Sequence, residues 1–303
     1  MCIRDSLDSI WWLTPPARAV PASGLLNTRE NLKMNTMKQT AILFLAVSLL
    51  CLNVSAQDPT QLGAKPNEIN DTLKRINDRF KNVDVQLVRW PDELHQKLGK
   101  FKKIAFIAYP TKRPAGKLPL LISLHGGGGK KMSVQQQLAR SAEVKGLALA
   151  ELAAKDLILL EPNTSDDWDA GSLNTMLDFV LKKHDEIDES RIYVMGHSMG
   201  GWGTWAWISK SSERFTAAAP CGFPVPETGD YQGLVKLPIS GMAGGADGER
   251  TTLIKKMVQR LTAAGNTNVK HTEFPDAKHS AANAAVFNSV ELVDWMLGFS
   301  RTQ

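Results

Sequence analysis

The stretch that decides the fold runs from Arg191 to Trp205 and reads RIYVMGHSMGGWGTW. Its opening residues, Arg191 to Met195, form an apolar run that is typical of a buried strand. Gly196 to Gly200 then fits the pattern G-x-S-x-G, and Gly201 to Trp205 continues as a helix. Between a strand and a helix, small residues permit close packing and the central Ser198 occupies a strained, exposed turn. The string alone is weak evidence, but this context favours a nucleophilic serine over a structural glycine-rich turn.

Apolar strands alternate with helical stretches on both sides of this motif. Strands such as 118–124 are apolar almost throughout, as central strands buried on both faces should be. We therefore predict an α/β fold with about eight strands in a mostly parallel sheet and helices on both faces. The predicted strands are 84–89, 102–109, 118–124, 156–161, 191–197, 216–220, 237–242 and 268–274, the first two placed as in a hairpin. The predicted helices are 67–81, 134–154, 171–185, 199–210, 250–264 and 281–298.

A glycine-rich loop, His125 to Gly129, follows the strand 118–124 directly. Backbone amides without side chains can surround a developing oxyanion. We therefore expect Gly126 or Gly127, together with the amide of Met199, to form an oxyanion hole. The lysine after the glycines is not followed by Ser or Thr, and four consecutive glycines do not fit G-x-G-x-x-G. Phosphate-loop and dinucleotide-binding patterns are therefore not met.

A serine hydroxyl needs a base that takes its proton and a carboxylate that orients the base. In enzymes with this kind of turn the order along the chain is Ser, acid, His. Of the six histidines, only His279 is late, in a loop, and downstream of a plausible acid. Asp247 follows the predicted strand 237–242, and strand ends are where α/β sheets place functional groups. Glu249 and Asp276 remain alternatives for the acid.

Two further side chains are expected to contact the substrate. Trp168 follows a predicted strand, although a packing role in the core is the alternative, and His125 begins the glycine loop.

Residues 167–171 resemble a calcium loop only faintly, because the later ligands are missing. Neither a metal nor an organic cofactor is expected. Three tryptophans on the helix after Ser198 are more typical of the core than of a binding platform: Trp202, Trp205 and Trp207.

Residues 34–56 have the organisation of a secretory signal. Lys38 precedes an apolar run from Ala41 to Leu52, and small residues lead to a cleavage site after Ala56. The run is too short to span a bilayer comfortably. Cys51 follows two leucines rather than a small residue, so a lipid anchor is not expected. We therefore expect a secreted or periplasmic protein with no stable membrane anchor.

The remaining chain divides into three parts. Residues 1–33 show no helical or strand period, and we expect a spurious or disordered extension with the true start at Met34 or Met37. Residues 57–83 are predicted to be a helical N-terminal segment. Residues 84–303 form the predicted catalytic domain, which no linker or repeat interrupts.

Composition excludes several classes of protein. The chain has 303 residues, of which 43% are hydrophobic and 22% charged; collagen-like, coiled-coil and wholly disordered classes do not fit these values. The formal net charge is +5, but Lys and Arg are scattered rather than clustered. This predicts a solvated surface and no nucleic-acid partner. Beyond the predicted signal only Cys221 remains, so no internal disulfide is expected.

Taken together, the candidate triad in that order and the glycine loop resemble the α/β-hydrolase superfamily. More narrowly, the chain resembles secreted bacterial carboxylesterases of the dienelactone-hydrolase, feruloyl-esterase and polyhydroxybutyrate-depolymerase-like group. The stretch 187–194, leading into Gly196 to Gly201, is similar to the segment before the nucleophile in that group. The resemblance covers about residues 84–300. It departs after Asp247, where these esterases often have a Pro- and Val-rich turn and this chain has Gly248 to Arg250.

The resemblance implies acyl transfer to water without a cofactor. Ser198 would attack an ester carbonyl, His279 would relay the proton, and Asp247 would hold the imidazole. The substrate implied is a small-molecule or polysaccharide-linked ester, of the short-chain, acetyl or feruloyl type.

Three alternatives differ from this interpretation. Peptidases of the prolyl-oligopeptidase type share such a triad, but they usually carry a large propeller domain, for which too few residues precede the first strand. In a lipase with a helical cap, a long segment would separate the predicted strands 216–220 and 237–242. Here only Cys221 to Lys236 lie between them, so we expect no large lid and an open cleft. A noncatalytic binding protein on the same scaffold would be expected to have lost a triad member.

Overall fold

The structure is a computed structural model that describes residues 66–144, 155–223 and 232–301. The predicted extension and the predicted signal, residues 1–56, lie outside the described residues. So do the second half of the predicted helix 134–154 and part of the segment on which the prediction of no large lid depends.

Eight strands form one sheet, which confirms the predicted number. The strands are β1 Val83–Arg89, β2 Ile104–Pro110, β3 Leu118–Leu124, β4 Ile158–Glu161, β5 Ile187–His197, β6 Ala217–Cys221, β7 Ile239–Gly244 and β8 Val269–Phe274. Their spatial order is β1-β2-β4-β3-β5-β6-β7-β8. β2 runs antiparallel to both β1 and β4, and every other neighbouring pair is parallel.

The described residues form eight α-helices. They are α1 Pro66–Arg79, α2 Asp92–Lys97, α3 Val134–Val144, α4 Ala170–Lys183, α5 Met199–Ser211, α6 Glu249–Ala263, α7 His279–Phe287 and α8 Val290–Leu297. The predicted helix 281–298 is thus two helices. Ser289 separates them because its Oγ accepts a hydrogen bond from the amide of Leu292 at 3.2 Å and caps α8. α2 has six residues, too few to show a period in the sequence.

Helices cover both faces of the sheet, as predicted. Successive side chains of a strand point to opposite faces, and β3 shows this directly. Leu120 and Ile122 pack in a hydrophobic layer with α4, α5 and α6, whereas Leu121 packs in a second layer with α1, α3, α7 and α8. All seven residues of β3 are buried, as its continuous apolar sequence predicts.

α1 is tied to the sheet by a side-chain amide. Nδ2 of Asn77 donates to the carbonyl of Val85 at 3.0 Å, and its Oδ1 accepts from the Val85 amide at 2.8 Å. Both residues lie in one compact unit, Leu62–Gln303. None of the helices in the described ranges is long and apolar enough to cross a membrane.

The strand order places the carboxyl ends of β3, β5 and β6 side by side. The chain proceeds from β3 to β4 on one side, and β5 lies on the other. A crevice opens at such a reversal of strand order, and open α/β sheets bind ligands there. His125 follows β3 and Ser198 follows β5 at this edge, and Asp247 lies beyond β7 at the same edge.

Glycines allow the start of α5 to lie against two strands. A Cβ on Gly200 would be 2.1 Å from the carbonyl oxygen of Leu124 in β3, and one on Gly201 would be 2.2 Å from that of Cys221 in β6. Backbone atoms cannot move away as a flexible side chain can. The helix therefore reaches this position only with hydrogen at these two Cα atoms.

We expect Gly200→Ala to lower the free energy of unfolding by about 3 kcal/mol, the upper end of overpacking costs. Gly128→Ala is the matched control, because a Cβ there meets nothing within 4 Å; its expected effect is within about 0.5 kcal/mol. Urea unfolding followed by circular dichroism measures both. Equal stability of the two variants would contradict the close approach.

Candidate active site

Ser198 sits in a strained turn that exposes its hydroxyl. Its backbone has φ 58° and ψ −119°, a left-handed conformation that costs free energy in residues other than glycine. The amide of Ser198 donates to the carbonyl of Cys221 at 2.9 Å, and its carbonyl accepts from the amide of Trp202 at 2.9 Å. Although Ser198 occupies the N-cap of α5, its side chain makes no capping hydrogen bond. Its Oγ is therefore available for another partner.

That partner is His279, the first residue of α7. His279 Nε2 lies 2.9 Å from Ser198 Oγ, and its Nδ1 lies 2.7 Å from Asp247 Oδ2. Because a carboxylate accepts from Nδ1, the proton belongs there and Nε2 is left to accept from the serine hydroxyl. The structure thus brings together the three residues that the sequence nominated as a triad. Asp247, rather than Glu249 or Asp276, is the carboxylate bonded to the imidazole.

Asp247 is held in a buried position in the turn after β7. Its side chain is only 3% exposed, and its second oxygen, Oδ1, accepts from Arg250 Nη1 at 3.4 Å. The amide of Asp247 donates to the carbonyl of Gly244 at 3.1 Å. The carboxylate thus has a fixed orientation toward Nδ1 of the histidine.

The glycine loop lies beside the serine. A Cβ on Gly126 would lie 3.3 Å from the carbonyl oxygen of His197 and 3.7 Å from Cβ of Ser198. Gly127 to Gly129 then form a single 3₁₀ turn. On the other side of the serine, Met199 begins α5, where the first amides of a helix have no intrahelical acceptor. The glycine loop and the first turn of α5 therefore both lie next to Ser198.

His125 anchors this loop. Its Nε2 accepts from the amide of Thr164 at 3.1 Å, which places the ring proton on Nδ1, and Nδ1 lies 2.9 Å from the carbonyl of Gly126. The ring borders the cavity, but both nitrogens are committed to backbone groups. Its polar atoms thus hold the glycine loop, and the expected contact of its ring with substrate stays a prediction.

Trp168 does not contact the cleft, so its predicted role in substrate binding is wrong. The residue is 1% exposed and is absent from the cavity lining. Its Nε1 donates to the carbonyl of His125 at 3.0 Å, and its ring meets Phe101 edge-on at 5.5 Å. Burial of this large ring is favourable because its one polar atom, Nε1, has a hydrogen-bond acceptor. The packing alternative for Trp168 is the one observed.

Lys102 also anchors the loop, and no sequence motif indicated this role. Its Nζ donates to the carbonyl of Gly129 at 3.2 Å and to the carbonyl of Met132. Partial burial lowers the pKa of this lysine. The contact joins residues about thirty positions apart, so no local pattern predicts it.

A cavity of about 200 Å³ opens above Ser198. The cavity is bordered by the glycine loop, the Ser198–His279 pair, the helices α3 and α7, and the end of β4. Beyond the glycines its lining comprises His125, Gln137, Arg140, Ser141, Glu161, His197, Ser198, His279, Ser280, Asn283 and Phe287. Sequence reasoning missed the contribution of α3 and Glu161, because they belong to no catalytic motif. Within the described residues, no group of three or more His, Cys, Asp or Glu side chains could hold a metal ion.

His197 packs its ring against the imidazole of His279. The ring centroids are 4.6 Å apart, and Nε2 of His197 is buried without a hydrogen-bond partner. Gly222, with φ +67°, closes over both rings: a Cβ there would lie 3.0 Å from His197 Nε2 and 3.2 Å from His279 Cε1. Burial, followed by the charge of His279, lowers the pKa of His197 to about 4. His197 is therefore uncharged near neutral pH.

Comparison with known proteins agrees with this fold. Residues 172–288, which contain Ser198, Asp247 and His279, match the Dienelactone hydrolase family model. No curated protein matches the sequence. The family match confirms the predicted resemblance to the dienelactone-hydrolase group for the matched segment.

Several solved structures are similar. A thermostable esterase has 21% identity and a TM-score of 0.56 over 73% of this chain, which spans 64% of the length of that esterase. A putative dienelactone hydrolase from Klebsiella pneumoniae subsp. pneumoniae MGH 78578 has 16% identity and a TM-score of 0.53, covering 71% of this chain and 98% of its own. An S-formylglutathione hydrolase from Agrobacterium tumefaciens has 16% identity and a TM-score of 0.53, with coverage of 71% and 94%. These likenesses confirm the α/β-hydrolase fold.

The lowered pKa of His197 predicts a stability change with pH. Between pH 6.5 and about 4 the unfolded chain binds a proton at this residue that the folded chain does not, so the folded state loses stability as the pH falls. The loss approaches about 3 kcal/mol at pH 4. In His197→Asn this contribution is absent. Urea unfolding of both proteins at pH 7, 5.5 and 4 should show a smaller acid loss in the variant, and parallel losses would refute the assignment.

Proposed function

We propose that the protein is a serine hydrolase that cleaves carboxylic esters. The observation that carries this proposal is the hydrogen-bond chain from Asp247 through His279 to Ser198, with distances of 2.7 and 2.9 Å. The match of the central segment to the Dienelactone hydrolase family model supports the reaction class.

In the first half of the proposed reaction, Ser198 Oγ attacks the ester carbonyl carbon. His279 Nε2 takes the hydroxyl proton, and the Asp247 carboxylate stabilises the imidazolium through Nδ1. The bond to the alcohol oxygen then breaks, and Nε2 returns its proton to that oxygen. The products of this half are the free alcohol and an acyl group bonded to Ser198.

In the second half, water takes the place of the alcohol. His279 removes a proton from the water as the oxygen attacks the acyl carbon, and the acid leaves as the proton returns to Ser198 Oγ. In both halves the carbonyl oxygen becomes an oxyanion. The proposed donors to it are the amides of Met199 and of Gly126 or Gly127, and each such donor typically contributes roughly 10²–10³ in rate.

Cavity size bears on the acyl group. Pockets for drug-sized ligands occupy roughly 300–1,000 Å³, whereas this cavity has about 200 Å³. We therefore propose short-chain substrates of the acetyl type, with feruloyl esters or esters carried on polysaccharide as candidates that extend beyond the cavity.

We also propose that residues 34–56 direct export and that the mature protein begins at Gln57. The support is the order of charge, apolar run and small residues in the sequence. Intact mass of the protein recovered from the periplasm or medium of an expressing bacterium tests this. Retention of residues 34–56 in exported protein would contradict it.

Ser198→Ala should abolish hydrolysis of 4-nitrophenyl acetate, since losing a triad serine typically costs on the order of 10⁶ in kcat. Ser165→Ala is the control: Ser165 is exposed, lies outside the cavity lining, and its Oγ donates to the carbonyl of Lys100 at 3.0 Å. Its activity should equal that of the wild type. Unchanged turnover in Ser198→Ala would overturn the proposal. If the wild type cleaves no ester, esterase function is contradicted and peptide substrates are the next test.

A further inference from the structure

Most side chains that border the cavity above Ser198 carry a polar group, although carbon atoms of the lining supply apolar surface as well. Apart from the glycines, Phe287 contributes the one apolar side chain among its described lining residues. Pockets that take apolar ligands are lined predominantly by hydrophobic and aromatic side chains. This cavity therefore offers hydrogen-bonding side chains beside apolar surface, and a ligand that carries hydroxyl groups can use both.

One wall of the cavity is a polar face of α3. Gln137, Arg140 and Ser141 lie three and four residues apart and so share that face. On the opposite side of α3, Leu138 and Ala142 pack in the hydrophobic layer against the sheet. Packing against the sheet explains why Leu138 and Ala142 are apolar. It does not explain why the three residues that border the cavity of Ser198 are polar.

On this wall, Gln137 is a buried residue with a polar atom that has no hydrogen-bond partner. It is 7% exposed, and its Oε1 has no hydrogen-bond partner. A buried amide oxygen without a donor is costly. Rotation about the terminal amide torsion is broad and twofold, so the carboxamide can present either its oxygen or its NH₂ group to a ligand. A hydroxyl group, which both donates and accepts, pairs with either.

The charges on the wall favour a neutral partner. Arg140 is exposed, and Glu161 lies on the same cavity, where it accepts from Ser141 Oγ at 2.5 Å. One positive and one negative side chain leave the wall without net charge. The carboxylate of Glu161 would repel an anion that the guanidinium of Arg140 attracts.

The position of His279 indicates which part of an ester this wall would meet. Nε2 of His279 returns a proton to the departing alcohol oxygen, so the alcohol binds beside this ring. Asn283 lies four residues further along α7, on the same face, and also borders the cavity. α3 and α7 pack on the same side of the sheet. Asn283 therefore borders the alcohol side of the cleft, and Gln137 lines the same cavity from α3.

We propose that Gln137, together with Asn283, forms a subsite for a hydroxyl-bearing alcohol group, so that the substrates are esters of polyols rather than of simple alkanols. This inference rests on the proposed ester hydrolysis. Gln137 is its specificity-determining residue, because its buried Oε1 has no hydrogen-bond partner within the described residues and accepts from a hydroxyl group that binds there.

The test compares two esters of equal skeleton, 1-acetylglycerol and propyl acetate, which differ by two hydroxyl groups. Wild-type protein should have the higher kcat/KM for 1-acetylglycerol. In Gln137→Met, which keeps the length of the side chain, the ratio of the two kcat/KM values should fall about fivefold, the factor that one neutral hydrogen bond supplies. Gln135→Met is the matched control, because Gln135 lies outside the cleft and donates to Thr72 Oγ1 at 3.3 Å. Its ratio should equal that of the wild type.

Other outcomes overturn the subsite in distinguishable ways. Hydrolysis of both esters with no preference, or with a ratio unchanged in Gln137→Met, removes the subsite and leaves the esterase proposal standing. Preference for 3-acetoxypropanoate over both neutral esters, lost in Arg140→Gln, would assign the wall to an anion instead. If the wild type cleaves none of the three esters, the subsite and the proposed function fall together.

Discussion

The site depends on the close approach of the α5 N-terminus to β3 and β6. Hydrogen at Gly200 and Gly201 permits backbone-to-backbone contact with Leu124 and Cys221, where any Cβ would clash at about 2 Å. This contact fixes the sharp turn at Ser198, with its left-handed φ of 58°. The serine hydroxyl therefore projects beyond the sheet edge, toward the imidazole at the start of α7, instead of capping its own helix.

A second set of contacts holds the glycine loop that lies beside the serine. Gly126 to Gly129 carry no side chains that could fix them, so neighbouring groups do so from outside. His125 bonds to the backbone on both sides, Trp168 donates to the carbonyl of His125, and Lys102 donates to that of Gly129. His125 and Trp168, which were predicted to contact the substrate, thus support the backbone of the glycine loop.

Sequence patterns predicted the sheet, most helix bounds and the three residues of the hydrogen-bond chain, because each rests on local periodicity or on a short motif at a strand end. The break at Ser289 was not predicted, because one capping hydrogen bond decides it. The burial of Trp168 and the role of Lys102 depend on contacts between residues distant in sequence. So does the polar face of α3: the spacing of Gln137 and Arg140 shows that they share a helix face, but only the fold shows that this face borders the cleft.

A fluorophosphonate tests directly whether His279 activates Ser198. The reagent forms a bond from phosphorus to an activated serine oxygen and releases fluoride. Mass spectrometry of the treated wild type should find one adduct, on the peptide that contains Ser198, and His279→Ala should form it at least a hundredfold more slowly. An adduct on another residue, or equal rates in the wild type and His279→Ala, would contradict this activation.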